Sequence, residues 1–167
     1  MTSGAFWTIN KHTWTGNDQH EDGSRYNDTS LADDAPYLVD IYRQGEAAIP
    51  DYDRAVKEYG GWDPQLNVYP AQIGEVIDII LLNQPNGLSE GFDTHPWHIH
   101  GDHVYDLGSG QGSYDAKANE ERLKGYNPIK RDTSLLDKYV NGDEADESTA
   151  YTNQGWRAWR LKVQHPG

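Results

Sequence analysis

The alternation of apolar and polar positions predicts three sheet strands in the second half of the chain. Residues 73–82 are nearly continuous in β-branched and apolar side chains, which is typical of a strand covered on both faces and makes this segment the best core candidate. A second strand is expected over residues 97–107. In the third, over residues 156–163, the odd positions from Trp159 onward are apolar and the even ones are basic, and this period of two predicts a half-exposed strand.

The first half of the chain is more polar. Residues 5–9 resemble an opening strand, and residues 17–34, inside a mostly polar stretch over 11–35, are rich in Asp, Asn, Ser and Gly, which predicts an exposed loop. Asp51 is expected to cap a short helix that runs to Tyr59, and Asp115 to begin another that ends near Lys124. Both helices are expected at the surface.

Length and composition favour one mostly β domain over residues 1–167. The chain has 167 residues, the common size of a single domain, and its 6 Trp and 11 Tyr suit a sheet protein better than a Leu-rich helical bundle. The formal charge of −13 repels phosphate backbones and anionic lipid, so neither nucleic acid nor a membrane is expected as a partner. No apolar run approaches the roughly 18 residues of a membrane helix, and no signal peptide is recognisable, so the compartment stays open.

The sequence contains no cysteine. Disulfides, thiolate nucleophiles and thiolate metal ligands are therefore excluded, and any metal must be bound by His, carboxylate or carbonyl groups.

Candidate chemistry concentrates in His95-x-x-His98-x-His100. In an extended chain successive side chains point to opposite faces, so His98 and His100 share one face and His95 points to the other. Clustered imidazoles favour copper or zinc. Pro96 lacks an N–H and is expected to interrupt strand pairing at that point. The alternative is that these histidines are ordinary surface or hydrogen-bonded residues.

The segment Thr94-His95-Pro96-Trp97-His98-Ile99-His100-Gly101 resembles the copper-binding strand in the last cupredoxin domain of multicopper oxidases. Residues 127–133 resemble the family's Asn-Pro-x-x-Arg-Asp-Thr segment, and residues 155–161 resemble the strand before its final copper motif. Shorter upstream matches over 7–10, 36–38 and 73–76 look like ascorbate oxidase and its fungal, laccase-like relatives. The resemblance implies an all-β, cupredoxin-like Greek-key β-sandwich with short peripheral helices.

The same resemblance implies copper as cofactor and a role for each histidine of the strand. By this matching, His95 is a ligand of the type 1 copper, His98 of the type 2 copper and His100 of one of the type 3 pair. Trp7 matches a tryptophan of the substrate pocket in ascorbate oxidase, although packing is the more common role of such an aromatic. His103 is expected to be exposed or to contact a ligand without binding metal.

Five further residues are given no metal or catalytic role. His12, His20 and His165 stand alone in the sequence. Arg131-Asp132 is interpreted as a structural ion pair or a turn.

The family's final His-Cys-His motif is absent from this sequence, and we expect it to follow Gly167. Without it the sandwich lacks its last strand or strands, and without a thiolate the blue type 1 site cannot form. The chain is therefore expected to be catalytically incomplete alone, either as a fragment of a longer oxidase or as a separately encoded domain. Its expected partners are the remaining cupredoxin domains or a complementing chain, together with a small-molecule reductant and O2.

Two functions remain open at this point. The first is a copper-binding part of an oxidase that oxidises ascorbate or phenols and reduces O2 to water. The alternative is a non-catalytic cupredoxin-like metal-binding or scaffold module. About four coppers per assembly would support the oxidase, whereas one or none would support the module.

Overall fold

The computed structural model describes residues 42–66, 68–83, 93–139 and 154–164. The chain divides into two compact units, residues 1–72 and 73–167. The expected strand over 5–9 and the expected polar loop lie outside the described residues, as do four candidate side chains: Trp7, His12, His20 and His165. Within the described residues, no helix has the length and apolar character needed to cross a membrane.

The described part of the first unit contains a 3-10 turn, Gly45–Ala48, and one α-helix, α1, Tyr52–Tyr59. The Asp51 side chain accepts a hydrogen bond from the Arg54 N–H at 3.0 Å, which satisfies one of the free donors of the first turn. Gly60 ends the helix in the left-handed conformation, at φ 65°. The predicted helix and its cap are confirmed.

Asp63 lies behind this helix and is almost completely buried, with 1% of its surface exposed. Its carboxylate accepts hydrogen bonds from the N–H groups of Gln65, Leu66 and Asp51, at 2.8 Å, 3.2 Å and 3.2 Å. Burial alone raises the pKa of a carboxyl group, but these N–H donors and the nearby Arg54 guanidinium favour the charged form and lower the pKa of Asp63. The buried carboxylate thus ties the segment after α1 to the helix N-terminus.

The second unit is mostly β, as predicted, with its strands in two antiparallel sheets. One sheet has four strands in the order β1-β6-β3-β4, and the other pairs β2 with β5. The strands are β1 Val76–Asn83, β2 His95–His98, β3 Val104–Gln111, β4 Ile129–Arg131, β5 Thr133–Leu136 and β6 Gly155–Lys162.

The single strand expected over residues 97–107 is wrong. The chain leaves β2 after His98, turns at Gly101 with φ 85°, and enters β3 at Val104 in the other sheet. Gly101 permits this turn because the left-handed region carries little cost without a Cβ. The histidine segment therefore ends in a corner between the two sheets and does not continue as one strand.

Burial along β1 and β6 differs from the pattern read in the sequence. Among the described strands β1 pairs with β6 alone, and its burial alternates, with Val76 59% exposed and Leu82 45% exposed, so it is not covered on both faces. β6 is paired on both sides, and its neighbouring residues Ala158 and Trp159 are both buried. The order of strands explains why the burial of β1 and β6 is the reverse of what the sequence predicts. β6 lies inside the four-stranded sheet and is covered, whereas β1 lies at the edge and is more open.

The core lies between the two sheets. Leu81, Val104 and Trp159 from the four-stranded sheet form one buried cluster with Leu136 of β5. Such packing of two antiparallel sheets is consistent with the expected cupredoxin-like sandwich.

The predicted second helix is confirmed as α2, Ala116–Arg122, with the Asp115 side chain accepting from the Ala118 N–H at 3.0 Å. The expectation that it only decorates the surface is incomplete. Asn119 is buried, and its side-chain amide donates to the Leu107 carbonyl of β3 at 3.2 Å. The helix is therefore attached to the four-stranded sheet through a buried polar contact.

Candidate metal centre

Strand β2 carries the candidate ligands His95 and His98, and among the described strands it pairs with β5 alone. His95 lies opposite Leu136 and His98 opposite Thr133. The interruption expected at Pro96 does not occur, since Pro96 lies in register opposite Leu135. In an antiparallel ladder alternate pairs exchange hydrogen bonds, and the Pro96 nitrogen falls on the open side of β2 where no donor is required.

The two faces of β2 differ in burial, as the alternation predicts. His95 and Trp97 are half-buried, whereas Pro96 and His98 are exposed. Trp97 and the following Ile99 pack against the core cluster between the sheets. These two apolar side chains fix the backbone on one face, so that the outward face presents His98. The predicted opposition of His95 and His98 is confirmed.

His98 and His100 lie beside each other, with ring centroids 5.1 Å apart and ring planes inclined by 51°. Both side chains are exposed. The prediction that they share one side of the strand agrees with this spacing, although His100 lies just past the end of β2.

The orientation of the His98 ring is fixed by the β4–β5 corner. Its Nδ1 lies 3.0 Å from the Asp132 main-chain carbonyl and 3.2 Å from the Thr133 hydroxyl. A carbonyl oxygen only accepts, so Nδ1 carries the proton and donates. The neutral ring then has its lone pair on Nε2, which faces away from the corner and is available to a metal ion.

Asp132 and Thr133 were missed as functional residues in the sequence, where Arg131-Asp132 was interpreted as an ion pair or a turn. The turn is present, because β4 ends at Arg131 and β5 begins at Thr133. The ion pair is wrong, since the Arg131 Nε lies 3.5 Å from the Asp106 carboxylate instead. The available signal was the Asn-Pro-x-x-Arg-Asp-Thr match, which identified this segment but not its contact with His98.

Asp102 and His103 follow the histidine strand. His103 is exposed, as expected, and its N–H donates to the Asp102 carboxylate at 2.6 Å. The Gln164 side-chain amide donates to the same carboxylate at 2.8 Å, and the two donors lower the pKa of Asp102. Asp102 thus closes the corner after His100, whereas His103 makes no contact with the His98–His100 pair.

The donor set tests which metal the site suits. Two neighbouring imidazoles, one with its Nε2 free, are borderline-soft ligands of the kind that bind copper. Within the described segments, no group of three or more His, Cys, Asp or Glu side chains is arranged to bind a metal ion. The residues present therefore fit copper as part of a ligand set that needs further donors.

Comparison with known proteins agrees with this chemistry. A sequence model described as multicopper oxidase matches residues 34–167. Multicopper oxidase terE of Aspergillus terreus is 58% identical over 98% of this chain and 31% of its own length. Laccase-like multicopper oxidase 1 of Thermothelomyces thermophilus is 47% identical over 83% of this chain and 21% of its own length.

A more distant relative is L-ascorbate oxidase of Cucurbita pepo var. melopepo, 37% identical over 60% of this chain and 15% of its own length. The chain thus spans less than a third of the length of these curated relatives. The match to the family model over most of the chain establishes to which family the chain belongs. The chain belongs to the multicopper oxidase family, whose members bind copper.

Proposed function

We propose that this chain supplies part of the copper ligands of a multicopper oxidase that oxidises a small reductant and reduces O2 to water. His95 is the type 1 ligand, His98 the type 2 ligand and His100 a type 3 ligand. The observation that carries the proposal is the orientation of His98, whose Nδ1 donates to the Asp132 carbonyl at 3.0 Å beside the His100 ring. Metal-binding histidines commonly donate their other ring N–H to a backbone carbonyl in this way.

The division of the three histidines between two faces supports two different copper sites. His95 shares the half-buried face of β2 with Trp97, and His98 is on the exposed face. One strand can therefore supply ligands to two sites without bending. Bound copper would supply one-electron transfer from the reductant towards O2. The chain's own part is to hold the imidazoles in place through Trp97, Ile99 and the Asp132 corner.

The copper sites of the proposal need donors from outside this sequence. The chain has no cysteine, so it cannot supply the thiolate that gives a blue copper site its character. We infer that residues 1–167 form one partial cupredoxin domain, and that other domains of the same protein or a complementing chain contribute the remaining ligands. The greater length of the relatives supports this organisation.

The reducing substrate is proposed as a phenol or ascorbate. Higher identity to a laccase-like oxidase than to an ascorbate oxidase favours phenols as the first candidate. Trp7 remains the candidate substrate contact of this chain.

The test uses the complete oxidase and compares His98→Ala with His103→Ala, a nearby exposed histidine without a proposed metal role. O2 uptake is measured with ascorbate and with a phenol, and the copper content is counted in parallel. We expect His98→Ala to lose copper and O2 uptake, while His103→Ala keeps both. Full copper content and full O2 uptake in His98→Ala would refute the proposal.

The 167-residue chain alone provides a second test. After addition of Cu²⁺ we expect no intense thiolate-type visible band and no coupled O2 uptake. Either signal from the isolated chain would contradict the proposed dependence on other domains.

A non-catalytic metal-binding or scaffold module is the second candidate. In favour of it, the described residues contain no group of three or more side chains arranged for a metal. Metal stoichiometry of the complete protein separates the two functions. A full set of coppers supports the oxidase, and a single ion or none supports the module.

A further inference from the structure

Strand β3 contains a β-bulge beside the histidine sheet. Its register with β6 shifts between Asp106 and Gly108, which leaves Leu107 as the extra residue. Gly108 adopts φ 100°, a conformation that glycine accepts readily, and its N–H donates to the Asp106 carboxylate at 3.0 Å. Bulges of this kind redirect a side chain next to a functional site. Here Leu107 is the extra residue, and the neighbouring Asp106 stays in register opposite Trp159.

The bulge is stabilised from the side of α2. The Leu107 carbonyl accepts from the Asn119 amide at 3.2 Å and from the Arg122 guanidinium at 2.5 Å. The same guanidinium donates to the Asn119 side-chain oxygen at 2.8 Å. The carbonyl released from the ladder therefore has two partners, and the bulge keeps one conformation.

The Asp106 carboxylate is buried, accepts hydrogen bonds from two other strands and forms an ion pair with a third. Its side chain is 8% exposed, and its Oδ2 accepts from Arg157 of β6 at 2.7 Å. The Ser134 hydroxyl of β5 donates to the same oxygen at 3.1 Å, and the Arg131 Nε at the end of β4 lies 3.5 Å from it. A buried carboxylate with these partners has few alternative positions.

Two of these partners flank the residues that orient His98. Arg131 immediately precedes Asp132, and Ser134 immediately follows Thr133. The Asp132 carbonyl and the Thr133 hydroxyl are the groups within 3.2 Å of the His98 Nδ1. Asp106 thus accepts a hydrogen bond from Ser134 at one end of the corner that sets the direction of the imidazole, and forms an ion pair with Arg131 at the other.

Arg157 adds a second connection between the carboxylate and β5. Its guanidinium donates to the Leu135 carbonyl as well as to Asp106. It also lies 3.7 Å from the Asp137 carboxylate at the end of β5. β5 is therefore held along its length by one ion pair whose partners belong to the other sheet.

We propose that Asp106 is a positioning residue for His98. It acts through Arg131, Ser134 and the Asp132–Thr133 corner to keep the imidazole in the tautomer that has its proton on Nδ1 and its metal-binding lone pair on Nε2. The metal-binding consequence rests on the function proposed above for His98. The orientation itself does not, because it is a property of the copper-free chain. Outer contacts of metal-binding histidines act in this way, fixing the tautomer and the ring direction.

The first experiment measures the tautomer of His98 by nitrogen NMR of the ring in the copper-free full chain. Asp106→Asn and Ser134→Ala are compared with Leu81→Ala, which removes a core side chain of β1 and leaves the polar partners of the carboxylate in place. We expect the two network variants to lose the single Nδ1-protonated form and give a mixture, whereas Leu81→Ala retains the native signal. If Asp106→Asn does not fold, Ser134→Ala carries the same prediction and removes only the two hydrogen bonds of the hydroxyl, to Asp106 and from Trp159.

The second experiment titrates the same variants with Cu²⁺ and measures the dissociation constant. Asp106→Asn should weaken binding by about 10- to 100-fold, the range seen when outer contacts of metal ligands are removed. Leu81→Ala should bind as the unmodified chain does.

Three results would overturn the proposal: an unchanged His98 tautomer in Asp106→Asn and Ser134→Ala, an equal change in Leu81→Ala, or a changed tautomer with unchanged Cu²⁺ affinity. Failure of the unmodified chain to bind Cu²⁺ would count against the proposed function alone. In that case the NMR comparison still decides whether Asp106 positions His98.

Discussion

In the second unit the four-stranded sheet mainly provides stability, and the two-stranded sheet carries the candidate metal ligands. The four-stranded sheet contributes Val104 at 0% exposure and Trp159 at 3% exposure to the core. The two-stranded sheet is open on its outer face, where the His98 side chain is 50% exposed. The scaffold is thus buried and the ligands are accessible. The difference indicates that the histidines can be changed at little cost in folding, whereas their supports cannot.

The two sheets are nevertheless coupled by a small number of contacts. Leu136 of β5 enters the shared core, and the Ser134 hydroxyl accepts from the Trp159 indole N–H at 3.0 Å while donating to Asp106. The Ser134 hydroxyl therefore couples the position of the four-stranded sheet to that of the two-stranded sheet, which carries the ligands. Substitutions in one sheet or the other test this coupling.

The largest effect is expected at Trp159. Trp159→Ala should lower the free energy of unfolding by about 3–5 kcal/mol, since a large buried aromatic and its hydrogen bond to Ser134 are both lost. Urea denaturation measures the loss. His98→Ala on the open sheet is the control and should stay within about 0.5 kcal/mol of the unmodified chain. Equal losses in the two variants would contradict the division of roles.

A smaller effect is expected at Arg157, whose side chain is 13% exposed and pairs with the 8% exposed Asp106. Arg157→Gln leaves a buried carboxylate without its closest cation, and the expected loss is about 3 kcal/mol. The remaining contact with Arg131 limits the damage. Chemical denaturation followed by tryptophan fluorescence measures it. A loss below about 1 kcal/mol would mean that the sheets are not coupled through this pair.

The bulge in β3 is tested by two glycines with similar backbone conformations. Gly108 has φ 100° and Gly101 has φ 85°. A Cβ at Gly108 would lie 2.5 Å from the Arg122 guanidinium, whereas a Cβ at Gly101 meets nothing within 4 Å. Gly108→Ala should therefore cost about 1–3 kcal/mol, and Gly101→Ala should cost only the backbone strain, about 1 kcal/mol. Thermal unfolding compares them, and a larger loss at Gly101 would argue against the bulge as a fixed element.

The smallest effect is expected at Arg160, the residue that follows Trp159, on the partly open side of β6. Its guanidinium donates to Asp78 at 2.7 Å and to Glu120 at 2.5 Å, and these carboxylates raise its pKa further above the usual value for arginine. Its side chain is 36% exposed, so Arg160→Gln should cost less than about 1 kcal/mol. Denaturation at low and high salt measures this, and a loss as large as that at Arg157 would mean that exposure does not separate the two arginines.

Much of the local structure could be predicted from the sequence because it depends on neighbouring residues. Asp51 and Asp115 were identified as helix caps, since an Asp side chain reaches the third N–H that follows it. The opposite faces of His95 and His98 followed from the geometry of any extended chain.

The remaining features depend on contacts between distant segments, which local patterns do not contain. Asp106 reads as a polar residue in a strand, and its partner Arg157 is 51 positions away. The bulge after it arises from pairing with β6 and from the Leu107 carbonyl's contact with α2. For the same reason β1 was expected to be covered on both faces, because the order of strands in the sheet is not encoded in the apolar run itself.

The central claim, that the outer side of the histidine strand provides copper ligands, is tested most directly by pulsed EPR of Cu²⁺ bound to the full chain. Coupling to imidazole nitrogens is recorded for the unmodified chain and for His98→Ala, His100→Ala and His103→Ala. Without the donors of other domains, one Cu²⁺ is expected to be shared by the two neighbouring rings. We therefore predict coupling to two imidazoles in the unmodified chain, loss of one in each of the first two variants, and no change in His103→Ala. Coupling that persists unchanged in both His98→Ala and His100→Ala would contradict the account.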